Sequence, residues 1–262
     1  MMRLEKKDYE SVYKIYLSTP FFFPLIAAVL LDEQDGLVYV NNLISPTQIY
    51  VEHSFGFSQI FGVTDKYFEQ VLEQYLFVDK RFYANKIRLY APYAPEFILK
   101  TQYDSYKSLR QRLIRDLSIT DPINPDLVDK RVYFSGVDEN NISIIENQFG
   151  LVSRFWRNSK DFIEKSQTVV VYYDGIPASL CYAAARANNC AEIDVLTIEM
   201  FRNLGLAKMA ANIFIRNCAE LGFNPLWDCF SNNSSSMLLC KSLNYKAVDD
   251  PYLFFTINKE VV

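Results

Sequence analysis

This chain of 262 residues contains few glycines and a single histidine, and its net charge is close to zero. Only 8 glycines occur, so each one carries information about a turn or a close approach of the backbone. The single histidine and the lack of clustered Cys and His residues argue against a metal site. The net charge of −4 lacks the basic excess of proteins that bind nucleic acids. We therefore expect neither a metal-binding module nor a nucleic-acid-binding protein.

The cysteines do not form a disulfide framework. There are five, an odd number, and all lie in the last third of the chain, between Cys181 and Cys240. Their spacing matches no metal-ligand motif. Reduced thiols of this kind are typical of proteins in a reducing compartment, so we expect a cytoplasmic protein.

A long hydrophobic run is also missing. Residues 20–31 form the best candidate, but twelve apolar residues are too few to span a bilayer, which takes about 20. The preceding segment carries Glu5, Asp8 and Glu10, and no small-residue cleavage site follows, as a signal peptide would require. We expect buried core there and no membrane association.

The composition predicts a folded protein of one or two domains. Apolar residues make up 50% and charged residues 22% of the chain. The segment 120–126 contains two prolines, each of which biases the residue before it away from helix. This segment predicts a linker between an N-terminal α+β domain, residues 1–122, and a second domain, residues 127–262. No repeat is visible at the level of residues.

The N-terminal part has mixed periodicities and no chemical motif. Its only histidine, His53, lies in an aromatic strand and has the character of a structural residue. Four basic residues near the end of this part indicate a solvated helix surface, and they are Lys107, Arg110, Arg112 and Arg115. The predicted elements are strands at 37–40, 47–52, 55–62 and 86–90 and helices at 67–76 and 105–117.

The C-terminal part has a clearer order of elements. Asp174-Gly175 predicts a two-residue hairpin turn between two strands. A long amphipathic helix is predicted at 204–221, ended by Gly222. The other predicted elements are helices at 139–149, 159–165 and 234–243 and strands at 168–173, 176–185, 190–198, 226–230, 245–248 and 252–257.

The most informative stretch is the strand–loop–helix segment 193–207. Gly205 lies in the first turn of the predicted helix, where a side chain would block the approach of a ligand to backbone amides. The first amides of a helix have no internal partner, and the helix dipole adds positive charge there, so the segment fits a phosphate site. The spacing equally allows a second reading, in which Gly205 permits tight packing of the helix on the sheet.

Two motifs resemble those of the GNAT superfamily of N-acetyltransferases. Arg202-x-x-Gly205-x-Ala207 matches the family's R/Q-x-x-G-x-G/A signature, and Thr197 stands five residues before the arginine. Downstream, Asn233-x-x-Ser236-x-x-Leu239 followed by Leu243-Asn244-Tyr245 resembles the family's second conserved element. The resemblance implies an α+β fold whose C-terminal part has a mixed, mostly antiparallel sheet flanked by helices.

A narrower resemblance covers most of the chain. Trp227-Asp-Cys229, the segment 36–42 and the later Phe57…Phe61-Gly62 are similar to a bacterial subgroup that includes zwittermicin A resistance acetyltransferases. In such proteins an N-terminal region of acetyltransferase-like shape precedes the catalytic one. Residues 1–120 carry no R/Q-x-x-G-x-G/A, so a region of that shape should have lost the cofactor site.

The resemblance implies acetyl-CoA as co-substrate. Its pyrophosphate would bind the amides from Asn203 to Lys208, with Arg202 shaping the loop. Its pantetheine arm would pair like an extra strand with the backbone at residues 195–197, and Asn233 would contact the pantetheine or the phosphate region. The implied cofactor-binding residues are Val195, Leu196, Thr197, Arg202, Asn203, Leu204, Gly205, Leu206, Ala207, Lys208, Asn233 and Ser236.

The catalytic groups follow less directly. Many family members have a tyrosine seven residues after the asparagine, but this chain has Cys240, for which we favour a packing role. A carboxylate can take the proton of the attacking amine. Glu192 is our first candidate and Asp228 our second, with Asp194 beside the same cleft. Each carboxylate also has an ordinary reading, as a solvated strand charge or a structural hydrogen-bond acceptor.

Taken with the resemblance, the sequence predicts an N-acetyltransferase that moves acetyl from acetyl-CoA to a primary amine of a small molecule, by direct attack in a ternary complex. The alternative is a non-catalytic acetyl-CoA-binding or interaction protein of the same fold, which the missing tyrosine motivates. A homodimer is left open.

Overall fold

The computed structural model describes residues 1–118 and 129–259, which form two compact units. Unit 1 consists of Met1–Arg110 together with Pro251–Val262, and unit 2 consists of Gln111–Asp250. These bounds differ from the predicted domains 1–122 and 127–262, because the last residues of the chain belong to unit 1. The predicted linker 120–126 lies outside the described residues and stays a prediction.

The helices and strands are numbered in chain order. The helices are α1 (Tyr9–Tyr16), α2 (Pro24–Leu30), α3 (Lys66–Glu73), α4 (Ile142–Phe149), α5 (Val152–Phe155), α6 (Ser159–Lys165), α7 (Leu206–Glu220) and α8 (Ser234–Ser242). The strands are β1 (Met2–Arg3), β2 (Gly36–Val40), β3 (Gln48–His53), β4 (Phe57–Gly62), β5 (Lys86–Ala91), β6 (Lys107–Ile114), β7 (Val132–Ser135), β8 (Val169–Tyr173), β9 (Ile176–Ala187), β10 (Cys190–Thr197), β11 (Asn224–Phe230), β12 (Lys246–Ala247) and β13 (Tyr252–Asn258).

Unit 1 contains a sheet with the strand order β1-β2-β3-β4-β5-β13-β6. Strands β1 to β4 pair antiparallel in sequence. After α3 the chain returns in β5, which runs parallel to β4 at three residue pairs, Phe57 to Gln59 against Arg88 to Tyr90. Strand β13 then pairs antiparallel with β5 on one side and with the first half of β6 on the other. The carboxyl-terminal strand therefore completes the sheet of the N-terminal unit.

The core of unit 1 is built around the apolar run that could be mistaken for a signal sequence. Every residue of α2 is buried, and the residues from Leu25 to Leu30 are each at most 2% exposed. Phe23, just before the helix, stacks on Tyr90 of β5 with a ring-centroid distance of 3.8 Å. The prediction of buried core for residues 20–31 is thus confirmed for the helix. In the part of the chain that the structure describes, no helix has both the length and the apolar character needed to cross a bilayer.

Unit 2 contains a sheet with the strand order β6-β11-β10-β9-β8-β7. The short strand β12 pairs antiparallel with β6. The pairs β7–β8, β8–β9 and β9–β10 are antiparallel, and β10–β11 is parallel. The hairpin between β8 and β9 turns at Asp174 and Gly175, whose φ values of 49° and 81° are both positive. A type I′ turn requires this conformation, so the Asp-Gly prediction is confirmed.

The two units repeat one topology. In each, three antiparallel strands lead into a helix and then into a strand that runs parallel to the third: β2-β3-β4-α3-β5 in unit 1 and β8-β9-β10-α7-β11 in unit 2. The parallel pairing is limited to three residue pairs in both units. The mixed, mostly antiparallel fold predicted for the C-terminal part is confirmed, and the N-terminal part shares it.

One predicted helix is wrong. Residues 105–117 were expected to form a charged helix, but 107–114 form strand β6, which pairs with β13 and, at Leu113 and Ile114, with β12. Lys, Arg, Gln and Leu are good helix formers, and here pairing with distant strands overrides that preference. The predicted solvated surface is wrong for the same reason, since Arg110, Arg112 and Arg115 are 9%, 6% and 6% exposed.

Candidate cofactor and catalytic site

The site begins where β10 and β11 separate. The two strands pair at Cys190, Ala191 and Glu192, opposite residues 224 to 226, and at no described residue beyond Glu192. A bulge between Glu192 and Ile193 shifts the register of β10 against β9 at the same point. From Ile193 to Thr197, β10 has its β9 neighbour on one edge and no strand on the other within the described chain. Val195, Leu196 and Thr197 therefore lie on an edge that an extended ligand can join.

The loop after β10 leads into α7, and several of its backbone amides have no hydrogen-bond acceptor in the described chain. Asn203 and Gly205 have φ values of 64° and 76°, both left-handed. Phe201 and Arg202 donate their amides within the preceding turn, and the first helical bond runs from the Met209 amide to the Gly205 carbonyl at 3.2 Å. Between them, the six amides of residues 203 to 208 have no acceptor among the described residues, and no side chain caps the helix. This row of donors at a helix N-terminus suits an anion.

Gly205 decides between the two readings of this loop. A Cβ added at Gly205 would meet no atom within 4 Å. The reading in which the glycine permits tight packing of helix on sheet therefore finds no contact to support it. Glycine is needed for the left-handed backbone, and the space beside it can hold a bound group.

The surroundings of the loop also fit an anionic ligand. Leu206 is 2% exposed and packs into the core with α7 residues such as Phe214, so it anchors the start of the helix. Arg202 and Lys208 are exposed on either side of the amides. The ion pair that Arg202 forms within the described chain is with Glu199, at 3.9 Å and largely in solvent. Asn203, Leu204 and Ala207 are exposed or half-buried along the same loop.

The second motif begins α8. The Asn233 side chain accepts a hydrogen bond from the Ser236 amide at 3.1 Å and so caps the helix. The Ser236 hydroxyl accepts one from the Trp227 indole at 2.9 Å, which ties α8 to β11. In these bonds the side-chain oxygens of both residues are acceptors. The side-chain NH₂ group of Asn233 and the hydroxyl hydrogen of Ser236 can therefore donate to a ligand. Their contacts to a cofactor remain predictions.

Three carboxylates share the sheet face opposite α7. Ala191, Ile193 and Val195 pack into the core that contains α7, so the alternate residues Glu192 and Asp194 point the other way. Trp227 and Cys229 likewise face that core, which places Asp228 on the carboxylate face. Across the described residues, no three His, Cys, Asp or Glu side chains come together as metal ligands would.

The two carboxylates ranked first from the sequence are both buried. The Arg112 Nε atom donates to Asp228 Oδ2 at 2.9 Å, and the two side chains are 7% and 0% exposed. Glu192 is 4% exposed. Both Glu192 and Arg112 act on the Cys190 thiol: burial raises its pKa, the Arg112 charge lowers it and the Glu192 charge raises it. Sequence patterns do not indicate Arg112 at this position, because they predict a helix for residues 105–117.

Asp194 has the more accessible carboxylate of the three. Its side chain is 31% exposed, and its Oδ2 accepts a hydrogen bond from the Tyr182 hydroxyl at 2.7 Å. Arg154 of α5 brings a guanidinium nitrogen to 3.9 Å from the same oxygen. Burial first, and then the Asp194 charge, raise the pKa of Tyr182, so its hydroxyl stays a donor. The sequence placed Asp194 beside the cleft but did not indicate its partner Tyr182, because the strand register that sets the two opposite each other is not a local property.

Residues in the last turn of α8 and just after the helix act as packing and turn residues. Cys240 is fully buried, and its thiol donates to the Met237 carbonyl at 3.2 Å. Burial, with a smaller contribution from Cys229, raises the pKa of Cys240 to about 11. Tyr245 packs edge-on against Trp227, and Asn244 has a φ of 63°, so the predicted core tyrosine and left-handed asparagine are both confirmed.

Comparisons with known proteins agree with this architecture. The model of the GNAT acetyltransferase family matches residues 23–254. An uncharacterized N-acetyltransferase of Bacillus subtilis is 34% identical over 102 residues, which span 39% of each protein. A GCN5-related N-acetyltransferase-like protein from Streptococcus suis superposes with a TM-score of 0.70 at 20% identity, over 97% of this chain and 99% of that one. A tandem GNAT protein from the clavulanic acid biosynthesis pathway gives 0.63 at 10% identity, over 98% and 97%. The family match extends over most of the sequence and includes both units, so this chain belongs to the GNAT acetyltransferase family.

Proposed function

We propose that this protein transfers an acetyl group from acetyl-CoA to a primary amine of a small molecule. The observation that carries the proposal is the combination, within unit 2, of the unpaired edge of β10 with the six free amides at the start of α7. A strand edge binds an extended amide-bearing chain, and a helix N-terminus binds phosphate. Acetyl-CoA contains both chemical groups, because its amide-bearing pantetheine arm is joined directly to its pyrophosphate.

The residues present fit this co-substrate. Asn203 to Lys208 would hold the pyrophosphate through backbone amides, with Arg202 and Lys208 adding positive charge. Residues 195 to 197 would pair with the pantetheine arm. Asn233 and Ser236 would donate from the start of α8. Bound acetyl-CoA supplies the thioester, and a backbone amide of the β10 edge would polarise its carbonyl.

The chain must also remove a proton from the attacking amine. We propose Asp194 for this step because it is the most exposed carboxylate on its face and the Tyr182 hydroxyl holds it in place. Its second oxygen, Oδ1, has no partner among the described contacts. Glu192 and Asp228 stay predictions for the same role, but their burial, and the ion pair of Asp228, give each a competing structural role.

The leaving thiolate finds no side-chain acid at the family's usual place. Cys240 stands there, and its thiol is buried and bonded to the backbone. We expect water to protonate the thiolate. The same observation is what favours the second candidate function, a GNAT-fold protein that binds acetyl-CoA without turnover.

The proposed acceptor class rests on similarity. The narrower sequence resemblance is to a subgroup that includes antibiotic-resistance acetyltransferases, and the tandem GNAT neighbour is named for a biosynthetic pathway of a small molecule. Both support a small amine rather than a protein tail. All five cysteines are free thiols, which fits action in the cytoplasm.

The test is a calorimetric titration of acetyl-CoA into wild-type protein and into Gly205→Glu. We expect wild-type binding at micromolar levels or tighter, about −8 kcal/mol or better. The glutamate would fill the space beside the amides with like charge, so we expect a folded variant with no measurable binding. Unchanged affinity in Gly205→Glu would refute the phosphate-loop assignment. Release of free CoA thiol in the presence of an amine panel then separates the enzyme from the non-catalytic binder.

A further inference from the structure

Unit 1 contains a cavity of about 680 Å³ at the point where its own parallel strands stop pairing. Strand β4 pairs with β5 as far as Gln59, and the next residues of β4, Ile60 to Gly62, line the cavity. Residues 92 to 95, just after β5, and Phe21 also line the cavity. By topology this is the counterpart in unit 1 of the separated strands β10 and β11.

The helix that begins beside this cavity cannot bind a phosphate as α7 can. The Asp65 side chain already accepts from the Phe68 amide at 3.0 Å and caps α3. The Asp65 amide donates to the Gln48 side chain at 2.6 Å, and the Val63 amide donates to the Thr47 carbonyl at 2.7 Å. The first turn of α3 also carries an acidic residue, Glu69. The loss of the cofactor site in the N-terminal part stays a prediction, and these contacts support it.

Glu69 gives the cavity a negative charge that the protein does not neutralise. The residue is 8% exposed and lines the cavity. One carboxylate oxygen accepts a hydrogen bond from the Gln48 amide group at 2.8 Å, and no Lys, Arg or His pairs with Glu69 among the described residues. A buried carboxylate without a cation is costly, and a bound cation would relieve that cost.

Both glutamine side chains of the cavity are already occupied. The Gln59 side chain accepts from the Tyr16 hydroxyl at 2.7 Å and donates to the Phe21 carbonyl at 3.3 Å. The Gln48 side chain is fixed at both ends, by Asp65 and Glu69. The second oxygen of Glu69 is the charged acceptor that remains for a ligand, beside the hydroxyls of Thr64 and Tyr93. No Lys or Arg occurs among the described residues that line the cavity.

Aromatic rings supply the second feature. Phe21, Phe61 and Tyr93 all line the cavity, and aromatic faces attract ammonium groups. An apolar wall with one spare carboxylate favours a ligand with an apolar body and one cationic head. An anion such as a phosphate or a carboxylate would instead be repelled by the negative charge of Glu69.

We propose that the cavity of unit 1 is a binding site for a small organic cation, namely a protonated amine with an apolar body, whose ammonium group pairs with Glu69. The site uses no residue of the acetyl-CoA loop in unit 2. It therefore stands or falls independently of the proposed transfer reaction.

The test uses the full chain and phenethylammonium chloride as the probe, titrated calorimetrically at pH 7.5. The matched variants are Glu69→Gln, which keeps the size of the side chain and an acceptor for Gln48, and Glu10→Gln, which removes a charge from the exposed face of α1. We expect saturable binding to wild type and Glu10→Gln, and at least tenfold weaker binding to Glu69→Gln, the size of effect expected for a charge-assisted hydrogen bond. Tyr93→Leu, at a residue that is 65% exposed, should weaken binding by a few fold.

One neutral analogue, one anionic analogue and one further variant complete the design. We expect 2-phenylethanol and 3-phenylpropionate to bind at least tenfold more weakly than the amine. Gly205→Glu should bind the amine as wild type does. Amine binding that persists in Glu69→Gln would place the probe elsewhere in the protein and overturn the proposal. Equal binding of 2-phenylethanol, or no binding of the amine to the folded wild type, would overturn it as well.

Discussion

Arg112 and Asp228 form a buried ion pair in unit 2, with 2.9 Å between Nε and Oδ2 and side chains that are 7% and 0% exposed. The pair joins β6 to β11, and both residues had other roles in the sequence-based prediction. Removal of one partner of a buried pair leaves the other charge uncompensated. We therefore expect Asp228→Asn to lower the free energy of unfolding by about 3–5 kcal/mol.

Urea unfolding monitored by circular dichroism measures this effect. Asp250→Asn, at an exposed position near the end of unit 2, is the control and should change stability by less than about 0.5 kcal/mol. A stable Asp228→Asn variant that has lost acetyl transfer would contradict the structural role and support Asp228 as the general base.

His53 should make the protein less stable as the pH falls. Its Nδ1 accepts from the Phe55 amide at 2.9 Å, so Nε2 carries the hydrogen and faces Gln34 at 3.1 Å. Burial, as the main cause, lowers the pKa of His53 from 6.5 to about 3. Between these values the unfolded chain binds a proton that the folded chain does not, so stability is lost as pH falls from about 6.5 towards 3. From pH 7.5 to 5 the loss should be about 2 kcal/mol.

The variant His53→Gln isolates the contribution of His53 to the pH dependence of stability. Glutamine can accept from Phe55 and donate to Gln34, but it does not titrate. The acidic groups of unit 1, such as Glu52, titrate in both proteins and cancel in the comparison. Urea unfolding at pH 7.5, 6 and 5 should show a steeper loss for wild type than for the variant. Parallel pH profiles would mean that folded and unfolded wild type protonate His53 over the same pH range, which would contradict the lowered pKa.

The identity of the general base follows from three isosteric variants. We expect Asp194→Asn to lower kcat by about 10²-fold or more while the Kd for acetyl-CoA stays unchanged, since general-base catalysis contributes about 10²- to 10⁴-fold. Tyr182→Phe should lower kcat by a smaller factor, because it removes the hydroxyl that holds the carboxylate. Glu192→Gln is the comparison on the same strand. A loss of kcat confined to Glu192→Gln would return the role to the first candidate from the sequence.

Cys240 should be dispensable for catalysis. Because its thiol is fully buried and donates to a carbonyl, we expect Cys240→Ala to keep kcat within about threefold of wild type. The small cavity should cost about 1 kcal/mol of stability. A kcat loss of about 10²-fold at unchanged stability would instead identify the thiol as the acid that protonates CoA.

Local patterns were sufficient to predict that a loop leads from a strand into a helix at residues 193–207. The αL conformation of Gly205 and the helix that follows it depend on a few consecutive residues, and the same holds for the Asp174-Gly175 turn and the left-handed Asn244. The burial of α2 followed from a run of apolar residues with no polar face. Such features are decided within a turn or two of chain, so the sequence is sufficient for them.

The candidate catalytic carboxylates could not be ranked in this way. Glu192, Asp194 and Asp228 are alike as sequence positions near strand ends. They differ in burial and in partners, and both depend on strands that are far apart in sequence. Asp194 meets Tyr182 through the register of β9 and β10, and Asp228 meets Arg112 because β6 is a strand.

The residues alone indicate the family and the strand–loop–helix segment before α7, and they show that residues 1–120 contain no copy of its motif. The folded chain makes β6 extended, adds β13 to the sheet of unit 1 and places Glu69 in a cavity where no Lys, Arg or His of the described residues pairs with it. These two groups of features differ in the range of the interactions that produce them. Backbone conformation and amphipathic period are set by neighbours in sequence, whereas strand pairing and the burial of charge are set by residues that meet only after the chain has folded.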